Sequence, residues 1–175
     1  MKKIDLFDGA LLAKINRISI FQYLTEQEKK HFLSIADLLE YHPGDLIITE
    51  GEVSYCFFAT VSGSLKVTVR ENAEREIPLS LINEGDIFGE TGIFSDTKRT
   101  ATVSPVDTAL VMRIGRDDFF HFVRIHPRGG VKLLMMFIYG LITKLHDSNQ
   151  ERLLERKIIL DETEMSRLFE KIDNG

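Results

Sequence analysis

A chain of 175 residues that is 43% hydrophobic carries enough apolar material for one domain with a packed core, which excludes a disordered chain. Its 22 basic and 27 acidic side chains leave a net charge of −5, so the basic footprint of a dedicated nucleic-acid binder is absent. A single cysteine, Cys56, rules out an intrachain disulfide framework and fits a reducing compartment, with the cytoplasm as the expected location.

The first twenty residues carry two lysines at their start, Lys2 and Lys3. Aspartates and Lys14 interrupt the apolar residues before a signal-peptide core can form, so this segment reads as an amphipathic lead-in. In "TEQEKKHFLSIADLL", residues 25–39, Thr25 and Glu28 have capping-box spacing, and Phe32, Ile35, Ala36 and Leu39 recur on one helical face. A short docking helix is predicted there. From Tyr41 to Arg116 the pattern changes to short segments punctuated by "HPGD", "SGS", "NEGD" and "SPVD", the spacing of an all-β sandwich or roll. "SLKVTVR" predicts a half-buried strand with Leu65, Val67 and Val69 facing inward, and "IPLSLI" repeats the pattern through Ile77, Leu79 and Leu81.

Phe119, Phe122 and Val123 then return at helical spacing, and His126-Pro127 marks a stop. A long helix follows. Its positions Val131, Met135, Ile138, Ile142 and Leu145 alternate steps of four and three, the seam of a coiled-coil-like face, and the seam turns polar at Ser148 and Asn149. Its longest apolar run, "LLMMFIYGLI", is about half a membrane span, so no membrane insertion is expected. The expected organisation is a helical segment over 1–38, a β-roll over 39–116, helices over 117–160 that include a hinge and a dimerisation helix, and a tail over 161–175.

The chemistry concentrates in "GDIFGETGIFSDTKRTATV", residues 85–103. Glycine leaves backbone amides uncovered, so "FGETG" offers N–H donors in a concavity suited to an anionic oxygen. Arg99, nine positions after Glu90, adds a permanently charged fork for the same anion. A phosphate fits both features. A carboxylate such as Glu90 beside a phosphate makes sense if it accepts a hydrogen bond from a hydroxyl, and a ribose on the same ligand would supply one. Thr100 adds a hydroxyl for a phosphate oxygen or a base edge.

This stretch resembles the phosphate-binding cassette of the cyclic nucleotide-binding domain family, shared by catabolite-activator-type regulators, cyclic-nucleotide-dependent kinases and gated channels. The likeness extends over about residues 15 to 155: "YHPGDLIITEGE" resembles the first roll hairpin, "VSGSLKV" the next turn, "GDIFGE" and "KRTATV" the cassette, and "DDFFHFVRIHP" the helix after it. Glycines at 44, 51, 63, 85 and 89 fall where the family turns its roll. The resemblance implies a mainly β fold, a double-stranded β-helix or jelly roll with N-terminal helices and a long C-terminal helix. It also implies that Glu90 accepts from the ribose 2′-hydroxyl and that Arg99 pairs with the cyclic phosphate and serves the ligand rather than the fold. Gly89, Gly92 and Ile93 would lend backbone N–H groups, and Thr100 a hydroxyl. Ser148 and Asn149 match the place where dimeric relatives contribute polar residues to the base; a solvated helix face or an asparagine that fixes dimer register are the alternatives. Thr91, where the family carries an aliphatic residue, and Lys98, where it often carries proline or a small residue, are the departures.

The expected function is a stand-alone cAMP or cGMP sensor that signals through its C-terminal helix to an unidentified downstream protein, as a homodimer. The alternative is a degenerate module that only dimerises or docks. The residues after the long helix are too few for the helix-turn-helix of the transcriptional branch, so direct DNA binding is not expected. The five histidines, His31, His42, His121, His126 and His146, form no HxH or HExxH pair, so neither a metal site nor a cupin-like enzyme is expected, and no cofactor beyond the nucleotide ligand.

Overall fold

The computed structural model describes residues 2–3, 9–72, 75–150 and 162–174. A two-residue strand β1 (Lys2–Lys3) precedes helix α1 (Gly9–Ile15) and a 3-10 turn at Ser19–Tyr23. Helix α2 (Glu26–Ser34) opens with the complete capping box: the Thr25 hydroxyl accepts from the Glu28 amide, and the Glu28 carboxylate accepts from the Thr25 amide. Strands β2 (Asp37–Tyr41), β3 (Cys56–Ser62), β4 (Leu65–Arg70), β5 (Glu76–Ile82) and β6 (Ile87–Phe88) follow, then the single-turn helix α3 (Thr91–Phe94). Strands β7 (Thr102–Pro105) and β8 (Ala109–Gly115) complete the β region, and helices α4 (Arg116–Ile125), α5 (Pro127–Gln150) and α6 (Glu162–Asn174) end the described chain.

The strands form two antiparallel sheets, ordered β1-β2-β8-β3-β6 and β5-β4-β7. The larger sheet lies between the second sheet and the helices, and the period-two alternation of its strands sorts the core into two layers. On the helical side, Phe57, Ala59 and Val61 of β3, Met112 and Ile114 of β8 and Leu38 of β2 join Phe21, Phe32, Phe119, Phe122, Leu133 and Phe137. On the roll side, Phe58, Val111, Ala109, Leu39 and Tyr41 join Ile48, Leu65, Ile82, Phe88 and Val103. A strand covered on both faces must be apolar at consecutive positions, which accounts for the run "CFFATV".

Phenylalanines bind the helices to this sheet. Phe57 lies 5.7 Å from Phe119 and 5.0 Å from Phe137 between ring centroids, and Phe32 lies 5.1 Å from Phe122, all near edge-to-face. Each such buried ring contributes roughly 1.5–3 kcal/mol of transfer free energy.

Four expectations change. Helix α2 ends at Ser34, so Leu39 does not share its face with Phe32; it pairs with Val111 in β2 instead. The alternation in β4 breaks at a register shift between Val67 and Thr68, which buries Leu65 and Thr68 and leaves Val67 and Val69 half-buried. Strand β5 is an edge strand opposite that bulge; Leu79 and Leu81 are 58% and 63% exposed and only Ile82 turns fully into the core. The segment expected as a tail carries α6, whose Phe169 is buried at 4.4 Å from the Tyr23 ring and whose Asp173 pairs with Lys132 at 2.6 Å.

The five glycines at 44, 51, 63, 85 and 89 all adopt positive φ. Gly63 has the tightest surroundings of the five: a Cβ there would lie 2.8 Å from the Ala109 Cα, so the β3–β4 turn can close against β8 only with glycine. Among the described residues no helix is long and apolar enough to cross a membrane.

Candidate functional site

Residues 85–103 run from the end of β5, through β6 and α3, into β7, and fold against the middle of the roll. The turn at Gly89 has φ of +71°, and a side chain there would meet Ile48 Cδ1 at 3.0 Å and Arg99 Nη1 at 3.1 Å. Gly92 is required for space: a Cβ would lie 2.6 Å from the Ser54 carbonyl and 2.7 Å from Arg99 Nη1. Both glycines therefore clear room for one arginine.

Arg99 is 6% exposed. Its backbone is pinned to the loop between β2 and β3, its amide donating to the Glu52 carbonyl at 2.7 Å and its carbonyl accepting from the Gly51 amide at 2.9 Å. Its side chain donates from Nε to the Ser54 hydroxyl at 2.8 Å, from Nη1 to the Gly89 carbonyl at 2.6 Å and from Nη2 to the Cys56 carbonyl at 2.6 Å. These bonds use three of the five N–H donors of a guanidinium. Every acceptor is neutral, and among the described residues no carboxylate forms an ion pair with it. The cation is thus oriented and desolvated, with no ion-pair partner among the described residues.

Glu90 is not that anion. Its side chain is 7% exposed, and its Oε1 accepts from Lys144 Nζ of α5 at 2.6 Å. Gly92 and Ile93 lie in α3, buried, with their amides donating to the Gly89 and Glu90 carbonyls at 3.1 Å each. Ile93 belongs to the helical-side core with Phe137, and Phe94 lies 6.0 Å from the Phe137 ring. Thr91 and Thr100 are exposed at the two rims of the segment. Ser148 and Asn149 stand on the last turn of α5, with side chains outside the described residues.

The structure therefore places Gly89, Glu90, Gly92 and Ile93 along the turn into α3, with the buried Arg99 side chain reaching the Gly89 carbonyl from the segment before β7. The sequence reading missed Ser54, the Cys56 carbonyl, Lys144 and Arg116. Arg116, the first residue of α4, donates to the Gly92 and Ser95 carbonyls at 2.9 and 2.7 Å, pairs with Asp96 at 2.7 Å, and lies over the Tyr55 ring at 4.3 Å. It ties the carbonyl end of α3 to the start of the C-terminal helices. No local pattern announces such partners, because each acts across twenty positions of sequence or more; Arg116 in "RIGRDD" reads only as a solvated charge. Among the described residues no group of three or more histidine, cysteine or acidic side chains is placed to hold a metal ion.

The sequence profile of the cyclic nucleotide-binding domain matches residues 38–126, about half of the chain. The chain is 31% identical over 102 residues to the cAMP-dependent protein kinase regulatory subunit of Debaryomyces hansenii, covering 58% of this chain and 22% of that protein. It is 32% identical over 107 residues to the cGMP-dependent protein kinase egl-4 of Caenorhabditis briggsae, covering 60% of this chain and 14% of that one. The similarity thus spans only a minor part of each kinase-related protein. Among solved structures, a cyclic nucleotide-binding domain from Methylobacillus flagellatus superposes with a TM-score of 0.73 at 16% identity, over 87% of this chain and 90% of that one, which shows the shared fold. Two apposed antiparallel sheets and a glycine-framed turn around a buried arginine thus occur where that profile matches, with the long helix α5 following directly after it, and the chain belongs to the cyclic nucleotide-binding domain family.

Proposed function

We propose that this protein is a non-catalytic regulatory module that binds a cyclic nucleotide, cAMP first and cGMP as the competing ligand, at the turn around Arg99, and passes occupancy to a partner through α5. One observation carries the reading. A nearly buried guanidinium held only by neutral acceptors is a desolvated positive charge, and such charges are strongly destabilising unless an anion compensates them. A cyclic phosphate is an anion of the right size, and the clearance provided by Gly89 and Gly92 keeps the backbone low around it. Glu90, next to Gly89, is the acceptor for a ribose 2′-hydroxyl in this reading; the Thr100 hydroxyl is a secondary contact, the Gly92 and Ile93 amides reach the ligand only if they leave the Gly89 and Glu90 carbonyls they bond in this structure, and Ser148 and Asn149 remain candidates for the base.

The geometry also supports transmission. Ile93 and Phe94 touch the helical-side core that holds Phe137 of α5, and Arg116 joins α3 to α4. A ligand that settles α3 differently acts on both helices, and its effect is limited to the difference in its affinity for the two arrangements. Homodimerisation through α5 belongs to the same proposal: Val131, Ile138 and Leu145 are 42%, 57% and 64% exposed on one face of that helix, while Leu133 and Phe137 occupy the face turned to the roll.

The three protein contacts of Arg99 favour one second reading, in which the arginine is a purely structural clamp and the module binds no nucleotide. Thermal unfolding with and without each nucleotide separates the two. A ligand that binds the native state alone raises stability by about 2.7 kcal/mol at a hundredfold excess over Kd, so the melting temperature rises with cAMP or cGMP and not with AMP; no shift with either cyclic nucleotide supports the clamp.

A further inference from the structure

Beyond Phe137 no further side chain of α5 is buried among the described residues: Ile138 and Leu145 are more than half exposed, and Tyr139, Leu141 and Ile142 are half-buried. The distal half is nonetheless connected to the roll. Lys144 Nζ sits 2.6 Å from Glu90 Oε1 and 3.5 Å from the Ile87 carbonyl, so one side chain reaches both the carboxylate and the strand leading into the cassette. The partners differ in setting, Lys144 being 54% exposed and Glu90 only 7%. The buried member is the one assigned to the ribose in the reading above.

We propose that Lys144 is a positioning residue for the nucleotide site, acting through Glu90, and that this ion pair is the means by which the distal half of α5 senses the ligand. The inference rests on the reading of Glu90 and Arg99 given above. Two anions placed in one desolvated site repel, so a bare Glu90 carboxylate would oppose entry of a cyclic phosphate. Lys144 removes that opposition from outside the cassette. A carboxylate has two oxygens, and with Oε1 taken by the ammonium, Oε2 is the atom for a ribose 2′-hydroxyl, so the lysine and the ligand need not compete. Because coupling free energies are reciprocal, a lysine that assists the ligand through Glu90 is itself held more firmly when the ligand is bound, and α5 is drawn onto the roll.

Isothermal titration with cAMP and cGMP of the wild-type protein, Lys144→Met, Lys144→Arg, Glu90→Gln and the Glu90→Gln/Lys144→Met double variant tests this. With the ligand that binds more tightly, Lys144→Met loses about tenfold in affinity, Lys144→Arg recovers most of it, and the same Lys144→Met change costs less than about twofold in the Glu90→Gln background. A Lys144→Met variant that binds as tightly as wild type, or more tightly, overturns the proposal, as does an equal loss in both backgrounds. Amide hydrogen exchange over residues 139–150 without nucleotide gives a separate readout: exchange faster in Lys144→Met than in wild type supports the tie, and unchanged exchange overturns it. Wild-type protein that binds neither nucleotide brings down the functional reading itself, an outcome distinct from a wild-type protein that binds while Lys144→Met does so equally well.

Discussion

The two halves of α5 are held to the roll by different forces. The proximal half buries Gly129, Gly130, Leu133 and Phe137, and Phe137 contacts the rings of Phe57, Phe119 and Phe94. The distal half exposes Ile138 and Leu145 and is tied by Lys144 to Glu90. Apolar burial is undirected and costly to undo, whereas an ion pair with one exposed partner is weak and depends on what else occupies its carboxylate. The contrast teaches that the proximal half belongs to the fold, while the distal half can answer to the site.

Phe137→Ala breaks the proximal half. Truncating a fully buried phenylalanine costs about 3–5 kcal/mol, and urea denaturation will show the midpoint fall without nucleotide. Next in size is Arg99→Ala, where loss of a charge-assisted pair in a desolvated site costs about 2–5 kcal/mol of binding, or roughly 30-fold to several-thousandfold in affinity. The sequence reading expected this arginine to serve the ligand alone. Its bonds to Ser54, Gly89 and Cys56 show that it also closes the turn, so the substitution lowers stability as well, and Arg99→Lys recovers only part of the affinity because an ammonium lacks the planar fork.

Asp at both Ile138 and Ile142 addresses the exposed face. The proposed dimer becomes monomeric in sedimentation while the roll keeps its unfolding midpoint; a wild-type monomer, or a variant that stays dimeric, contradicts the α5 interface. A smaller effect sharpens the comparison: Lys144→Met changes the denaturation midpoint by the equivalent of about 0–1 kcal/mol, against the several kcal/mol of Phe137→Ala. A comparable loss in both variants would erase the distinction between the halves. Leu79→Ser, on the exposed face of β5, stays within about 0.5 kcal/mol of wild type.

Much of this was legible in the sequence because it rests on local chemistry. The capping box of Thr25 and Glu28, the stop at His126-Pro127 and the turn glycines each depend on a few neighbouring residues, and all are present in the structure. The faces of β4 and β5 were not legible. A bulge at Val67/Thr68 shifts the alternation by one residue, and no sequence signal marks it; β5 then lies at an edge where Leu79 and Leu81 remain exposed. In the candidate site, the glycines, Glu90 and Arg99 stand close in sequence and were readable together. Ser54, Arg116 and Lys144 were not, since topology alone brings Ser54 onto Arg99, 45 positions later, and Lys144 onto Glu90, 54 positions earlier. Docking of α6 was hidden for the same reason: Lys132 is nearly buried and looks like any helix lysine until Asp173 and the Tyr23 carbonyl are placed beside it.

The central claim is that the buried charge of Arg99 is reserved for a cyclic phosphate. Isothermal titration of cAMP and cGMP into the wild-type protein and Arg99→Ala, with circular dichroism of both to establish folding, tests it most directly. Saturable binding of at least one nucleotide to the wild type, and a loss of at least about 30-fold in a folded Arg99→Ala, is the predicted result; equal affinity in the two folded proteins, or no binding to the wild type, contradicts it.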